Sequence, residues 1–273
     1  MKKVFASAFA LMTVGFAYSQ SNSDVTTQTG NGNFATVTQV GLLHSNNLLQ
    51  QGNANTADVD QSGNRNVNVA QSLGNSNEID VDQIGGRNSN DVLQEGDGNW
   101  ARTMQDGNRN TVLQVQLGDD NTTTALQDGN WNRAEQTTDG NDNIAYSNQL
   151  NGSFNRTFQD QIGDENEARA GSNGTANTIY QTQDGISNYA LHLQLGSVNW
   201  AEAEQYGDDN MAAGGQTGSL NRIEQLQDGL NNSATDIQNG TLNFSEVSQN
   251  GQNHSHMGTQ TGWLNSMTVT QTN

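Results

Sequence analysis

The sequence predicts an all-β fold: a flat two-sheet β-solenoid of about eleven turns, each turn made of two strand-and-corner units of eleven residues. Three observations predict it. Glycine recurs every eleven residues from Gly30 to Gly140 and, after one added residue, from Gly152 to Gly262. Asn stands three residues after the glycine in all but two of the 22 units, where His44 and His254 take its place. Gln stands two residues before the glycine in most units; Ser72, Thr138 and Ser172 replace it, and Gln271 closes the last unit. A fixed short period over a whole chain means a repeat architecture. Eleven residues are too few for a helical hairpin and suit one strand plus one corner.

The elements follow in order. Met1 to Ser19 read as a secretory signal, with Lys2 and Lys3 as the positive region, Val4 to Ala17 as a short apolar core, and small Ala17 and Ser19 before a cut that leaves Gln20 first. A membrane anchor, the rival reading, needs a longer apolar run. Residues 20–27 form a short N-terminal segment, and residues 28–273 the solenoid. In the first full strand, Asn33, Ala35, Val37 and Gln39 are two apart and share one face. Four residues such as Val40 to Leu43 make the corner, where glycine supplies backbone freedom. The added residue lies in the corner Leu150 to Phe154, which leaves strand pairing intact.

Charge placement assigns the buried face. Over all the units the Asn, small, mixed and Gln slots hold one acidic residue, Asp236, and no Arg, so this face points inward. Two strand types alternate. Gln114, Gln136, Gln159, Gln181 and Gln225 recur in the mixed slot at double spacing, with Ala203 interrupting. Ala101, Thr123, Ala145, Ala168, Ala190, Ala212 and Ala234 fill the small slot of the other strands, opposite bulky Val112, Ile179 and Ile223. One turn is therefore two units, and the stack is about 50 Å long at ~4.8 Å per strand.

Composition narrows the interior and the partners. Only 31% of the chain is hydrophobic, so the interior must be mostly Asn, Gln and Ala, workable if amides stack in register as in cross-β ladders. There is no Pro to remove a ladder donor and no Cys for a disulfide or thiolate metal site. Without Lys2 and Lys3, 8 Arg (10 − 2) oppose 29 acids, a net charge of −21 (8 − 29). Such acidity argues against nucleic acid as a partner and favours solubility before assembly.

The unit Gln28-x-Gly30-x-x-Asn33-x-Ala35-x-x-x-Gln39 resembles the curlin repeat of the secreted subunits of curli, the amyloid fibres of bacterial biofilms. Complete matches also start at Gln50, Gln94, Gln183, Gln194, Gln205 and Gln227, and the resemblance runs from Gln28 to Gln271. It implies an amyloid-like solenoid and a structural, non-enzymatic subunit of a cell-surface fibre. It also implies, as partners, other copies of the chain, an outer-membrane secretion pore, a nucleator subunit and a periplasmic chaperone. The family's leading Ser is Asn here, and the segment before the first unit is shorter than the family's export segment.

The residues expected to matter are structural. The interior ladder comprises Gln28, Asn33, Gln39, Gln50, Asn55, Gln61, Gln94, Asn99 and Gln105, then Gln183, Asn188, Gln194, Asn199, Gln205, Asn210 and Gln216. The corner glycines include Gly30, Gly52, Gly96, Gly185, Gly207 and Gly229. Phe34 and Val37 at one end, and Met267 and Val269 at the other, lie on uncharged end strands suited to pairing between subunits. No catalytic residue, cofactor or metal ligand is assigned. His254 and His256 could form a metal pair, or else fill the ladder and small slots. Asp119-Asp120 and Asp208-Asp209 could bind calcium, but the calcium-solenoid nonapeptide is absent. Trp100 and Trp200 lie on outer faces, Trp131 and Trp263 in corners. Two other functions compete: a solitary ice- or sugar-binding solenoid, opposed by irregular outer slots such as Phe34, Asn47, Asp58, Val69, Asp80 and Arg102, and a nucleating minor subunit, which would share these repeats. A β-helix enzyme would need paired carboxylates in a cleft, and none converge.

Overall fold

The computed structural model describes residues 21–273; the secretory signal read in residues 1–19 lies outside the described residues. Every element is a strand. Twenty-three follow one another, from β1 (Ser23–Thr29), β2 (Phe34–Leu42) and β3 (Ser45–Gln51) to β22 (Ser255–Trp263) and β23 (Ser266–Thr272). Alternate strands go to opposite sheets, one of 12 strands and one of 11, each in chain order. All pairings are parallel. The register is one turn per step, as in Gln39 against Gln61 and Gln61 against Gln83. The added residue produces a register shift between Gln127 and Gly129, after which Gly129 faces Gly152.

Period-two alternation drives the layering. In the strand Thr56–Asn64, Ala57, Val59 and Gln61 are buried while Thr56, Asp58 and Asp60 are exposed. A residue that slipped by one would put aspartates inside and valines outside, so the register is fixed strongly. Apolar contacts concentrate in the first third, where Leu48, Val59, Ile79, Val81 and Val92 form one cluster with Ala57, Ala70 and Ala101. Further along, the apolar core thins to Ala with single isoleucines, and amides occupy the space.

Three expectations are corrected. The solenoid begins before residue 28. β1 opens at Ser23, and Asn22 already serves as a ladder residue, its Oδ1 accepting from the His44 backbone N–H at 3.0 Å. The register slot before this strand, eleven residues ahead of Gly30, is Ser19 and not glycine, so a count anchored on glycine misses it. Secondly, Asp24 joins Asp236 as an acid on the inner face, where Asn46 Nδ2 donates to its Oδ1 at 2.7 Å. Thirdly, only some glycines sit past the strand ends. Gly30, Gly52, Gly96 and Gly185 do, whereas Gly207 and Gly229 lie inside the strands Trp200–Asp208 and Arg222–Leu230, still in register with each other. The bend itself falls two residues after the glycine, at a residue of left-handed conformation such as Ala54 (φ 56°).

Candidate functional site

The inner Asn residues form hydrogen-bonded columns along the whole stack, and the Gln residues form columns broken where Ser72, Thr138 and Ser172 replace Gln. Each Asn makes a fixed set of bonds. Asn55 Oδ1 accepts from the backbone N–H of Asn77 one turn on, and its Nδ2 donates to the Gly74 carbonyl at 2.8 Å. The amide thus ties its own strand to the corner of the next turn, which explains the three-residue interval between glycine and Asn. Asn99, Asn188, Asn199 and Asn210 do the same. His44 substitutes because its ring offers the same pair of atoms: Nδ1 accepts from Asn66 N–H at 3.2 Å while Nε2 meets the Val40 carbonyl at 3.1 Å. That pattern requires the proton on Nε2.

The Gln columns carry a direction. Gln39 Nε2 donates to Gln61 Oε1, Gln61 to Gln83, Gln83 to Gln105, Gln105 to Gln127, and Gln127 to Gln149, at 2.8–3.0 Å. In the other sheet Gln28 donates to Gln50, Gln94 to Gln116, and Gln183 to Gln205. In the sheet of Gln39, Gln194 likewise donates to Gln216. The second hydrogen of each amide crosses to a carbonyl of the opposite sheet, as Gln61 Nε2 does to Ser45. That cross-sheet acceptor fixes which end of each amide is nitrogen. Every Gln column therefore runs donor to acceptor toward the C-terminus. Among the described residues, the N-terminal end presents the Oε1 atoms of Gln28 and Gln39. The C-terminal end presents one remaining hydrogen on Nε2 of Gln260 and of Gln271, whose other hydrogens go to the Phe244 and Ser255 carbonyls.

Two inner columns went unassigned from the sequence. Asn46, Asn68 and Asn90 chain to Asp24 through bonds of 2.7 Å; their spacing of one turn in the small slot was the available signal. Near the other end, buried Asp236 accepts from Gln225 Nε2 and Ser245 Oγ, both at 2.8 Å, and meets His256 Nε2 at 3.3 Å. His256 thus serves a buried carboxylate, while His254 repeats the Asn role with Nε2 on the Asn250 carbonyl. Among the described residues, no three His, Asp or Glu side chains are placed to hold a metal ion. The corner acids have backbone partners: Asp119 Oδ1 accepts from Asp97 N–H and Asp208 Oδ1 from Ile186 N–H.

Of the four residues expected between subunits, three face inward on the end strands. Val37, Met267 and Val269 are half-buried because no strand covers them, whereas Phe34 points outward and is 58% exposed. β1 pairs only with β3, and β23 only with Phe244–Gln252, so both ends of each sheet are open edges.

One interior group titrates. His192 is fully buried, and burial lowers its pKa from 6.5 to about 4, partly opposed by Gln225. Gly214 makes room for it, since a Cβ there would overlap the imidazole. The unfolded chain binds this proton between pH 6.5 and 4 and the folded chain does not, so stability from neutral His192 is lost as pH falls through that window. The full shift corresponds to about 3 kcal/mol. The outer carboxyls of Asp58, Asp82, Asp160 and Glu202 oppose it, because desolvation and like-charged neighbours raise their pKa values. The expected result is that His192→Gln flattens the difference in unfolding free energy between pH 7 and pH 4. Identical pH profiles for the variant and the parent would show that His192 does not govern this window.

Residues 52–85, which span the glycines Gly52, Gly63, Gly74 and Gly85, match the family model of the curlin associated repeat. No curated protein matches the sequence.

Proposed function

We propose, from the premise that this is a chain of curlin associated repeats, that it is a structural subunit of an extracellular, curli-like amyloid fibre in a biofilm matrix, growing by head-to-tail stacking of solenoids. The observation that carries this reading is the common polarity of the Gln columns. Translating one copy along the axis sets its β1 on β23 and its β2 on β22. Gln271 and Gln260 then donate to Gln28 and Gln39 of the next copy. Asn265 Oδ1 and His254 Nδ1 accept from the backbone N–H groups of its Asn22 and Asn33. Each column passes through the junction without reversing; Asp24 and Thr26 of the next copy then lie above Met267 and Val269, and its Val37 above Gly258. Open strand edges are templates for such addition, and of the four joining strands only β1 carries an acid, Asp24, residues 33–39 and 265–271 being uncharged. The secretion pore, chaperone and nucleator follow from the family resemblance.

Purified residues 20–273 are expected to form fibres within days at concentrations on the order of 10 μM, seen by thioflavin fluorescence and electron microscopy. Persistence as a monomer would refute the reading. Removing the first or last 22-residue turn should slow seeding by the full-length fibre, while removing one central turn leaves it nearly unchanged. Greater damage from the central deletion would sink the head-to-tail arrangement.

A further inference from the structure

The two edges of the flat solenoid differ in chemistry. Along one edge the left-handed corner position is held by small or polar residues, among them Gly32, Ala54, Ser76, Asp120, Asp142 and Asp209. Along the other, the first turns place Leu43, Arg65, Arg87, Arg109, Trp131 and Phe154 there. Asn and Gly tolerate this conformation best, and bulky side chains poorly.

The three arginines stand out from the rest. Arg102 pairs with Asp80 at 3.4 Å, and Arg133, Arg169 and Arg222 pair with Glu135, Glu167 and Glu224. Arg156 opens a strand beside Arg133. Among the described residues, Arg65, Arg87 and Arg109, like Arg156, have no carboxylate within 4.0 Å, and the first three alone stack in one corner column, although the chain carries 29 acids. Successive turns set them about 4.8 Å apart, close enough to repel. Each also adopts a left-handed backbone, with φ of 59°, 60° and 59°. Like charge and the left-handed backbone both disfavour arginine in this column, offset only at Arg109 by its contact with the Trp131 ring.

The surroundings complete a site. A groove of about 320 Å³ runs along the arginines, lined also by Asn64, Asn108 and Trp131. The Arg109 guanidinium lies 4.4 Å from the Trp131 ring centre, and Phe154 stacks on Trp131 at 6.2 Å. Asn108 uses its Nδ2 on Asn130 at 3.0 Å, leaving Oδ1 free to accept from a hydroxyl.

We propose that this edge binds an acidic polysaccharide, a chain of uronic-acid sugars running parallel to the solenoid axis. One arginine per turn, about 4.8 Å apart, offers one cation per sugar carboxylate along an extended chain. The exposed edge of Trp131, whose two faces are taken by Arg109 and Phe154, gives the sugar chain an apolar contact, and the corner amides take its hydroxyls. Nucleic acid fits less well. Its phosphates are denser, one charge per ~1.7 Å of duplex, than one arginine per turn can match.

The test uses the mature chain with polygalacturonate as probe, neutral dextran as its uncharged counterpart, and duplex DNA as the competing polyanion. The triple variant R65N/R87N/R109N removes the ladder while placing Asn, which suits the left-handed position, at each corner. It is expected to bind polygalacturonate about tenfold more weakly or worse, since three ion pairs are lost. Its melting temperature should be equal or higher, so misfolding cannot explain the loss. The charge-matched variant R102Q/R133Q/R169Q should bind as the parent does. Dextran should not bind, and binding of polygalacturonate should weaken with salt. Unchanged affinity in the corner variant, equal loss in both triple variants, or DNA binding at least as tight as polygalacturonate would each overturn the proposal.

Discussion

Replacing Gly52 by Ala is expected to be among the most damaging single changes in this chain, costing more than about 4 kcal/mol. Gly52 has φ of +121°, in a region that L side chains rarely adopt, and an added Cβ would overlap the carbonyl oxygen of Gly74 one turn on. That carbonyl is rigid: it accepts from Asn55 Nδ2 and belongs to the stacked corner. The structure cannot relax around the methyl without parting two turns, and the same collision recurs along the column. Two residues away, Ala54 also has positive φ, at 56°, but in the left-handed well that side chains tolerate. Ala54→Gly should change stability by no more than about 1 kcal/mol. Denaturant unfolding of both variants before assembly checks the contrast. Similar losses at Gly52 and Ala54 would show that flexibility, and not close approach, selects glycine in the column.

The second large effect is expected at an interior Gln. Gln83 is fully buried; it accepts from Gln61 Nε2 at 2.8 Å and donates to Gln105 Oε1 at 2.9 Å and to the Val67 carbonyl at 3.0 Å. Gln83→Ala leaves three buried partners unsatisfied, with a cost of ~1–3 kcal/mol for such groups before the cavity is counted. We expect a total of roughly 3–5 kcal/mol and a corresponding delay in fibre growth. Gln39→Ala should cost less, because Gln39 lies on the open end and is only half-buried. Next to Gln83, outward Asp82 has a raised pKa from desolvation and from Asp60, Asp80 and Asp106. Asp82→Asn should therefore leave stability unchanged or slightly improved. A loss at Asp82 equal to that at Gln83 would reverse the assignment of faces.

The sequence by itself determined the fold class, the turn length and the buried face. The eleven-residue glycine and Asn spacings, the double spacing of Gln114 and Gln136, and the near absence of charge from alternate positions each state a geometric fact, because strand side chains alternate and stacked turns repeat. Other features needed the tertiary structure. The column direction depends on which atom of each amide faces the opposite sheet, as Gln61 Nε2 faces Ser45. The first strand at Ser23–Thr29 has no glycine in the register slot before it and is recognised only by its pairing with Ser45–Gln51. His192 lies in an ordinary slot, and its lowered pKa comes from burial beneath Gln181, Gly214 and Gln225. Arg65, Arg87 and Arg109 are 22 residues apart and unremarkable one at a time. Stacking makes them a ladder, because the solenoid converts a distance of one turn along the chain into about 4.8 Å in space.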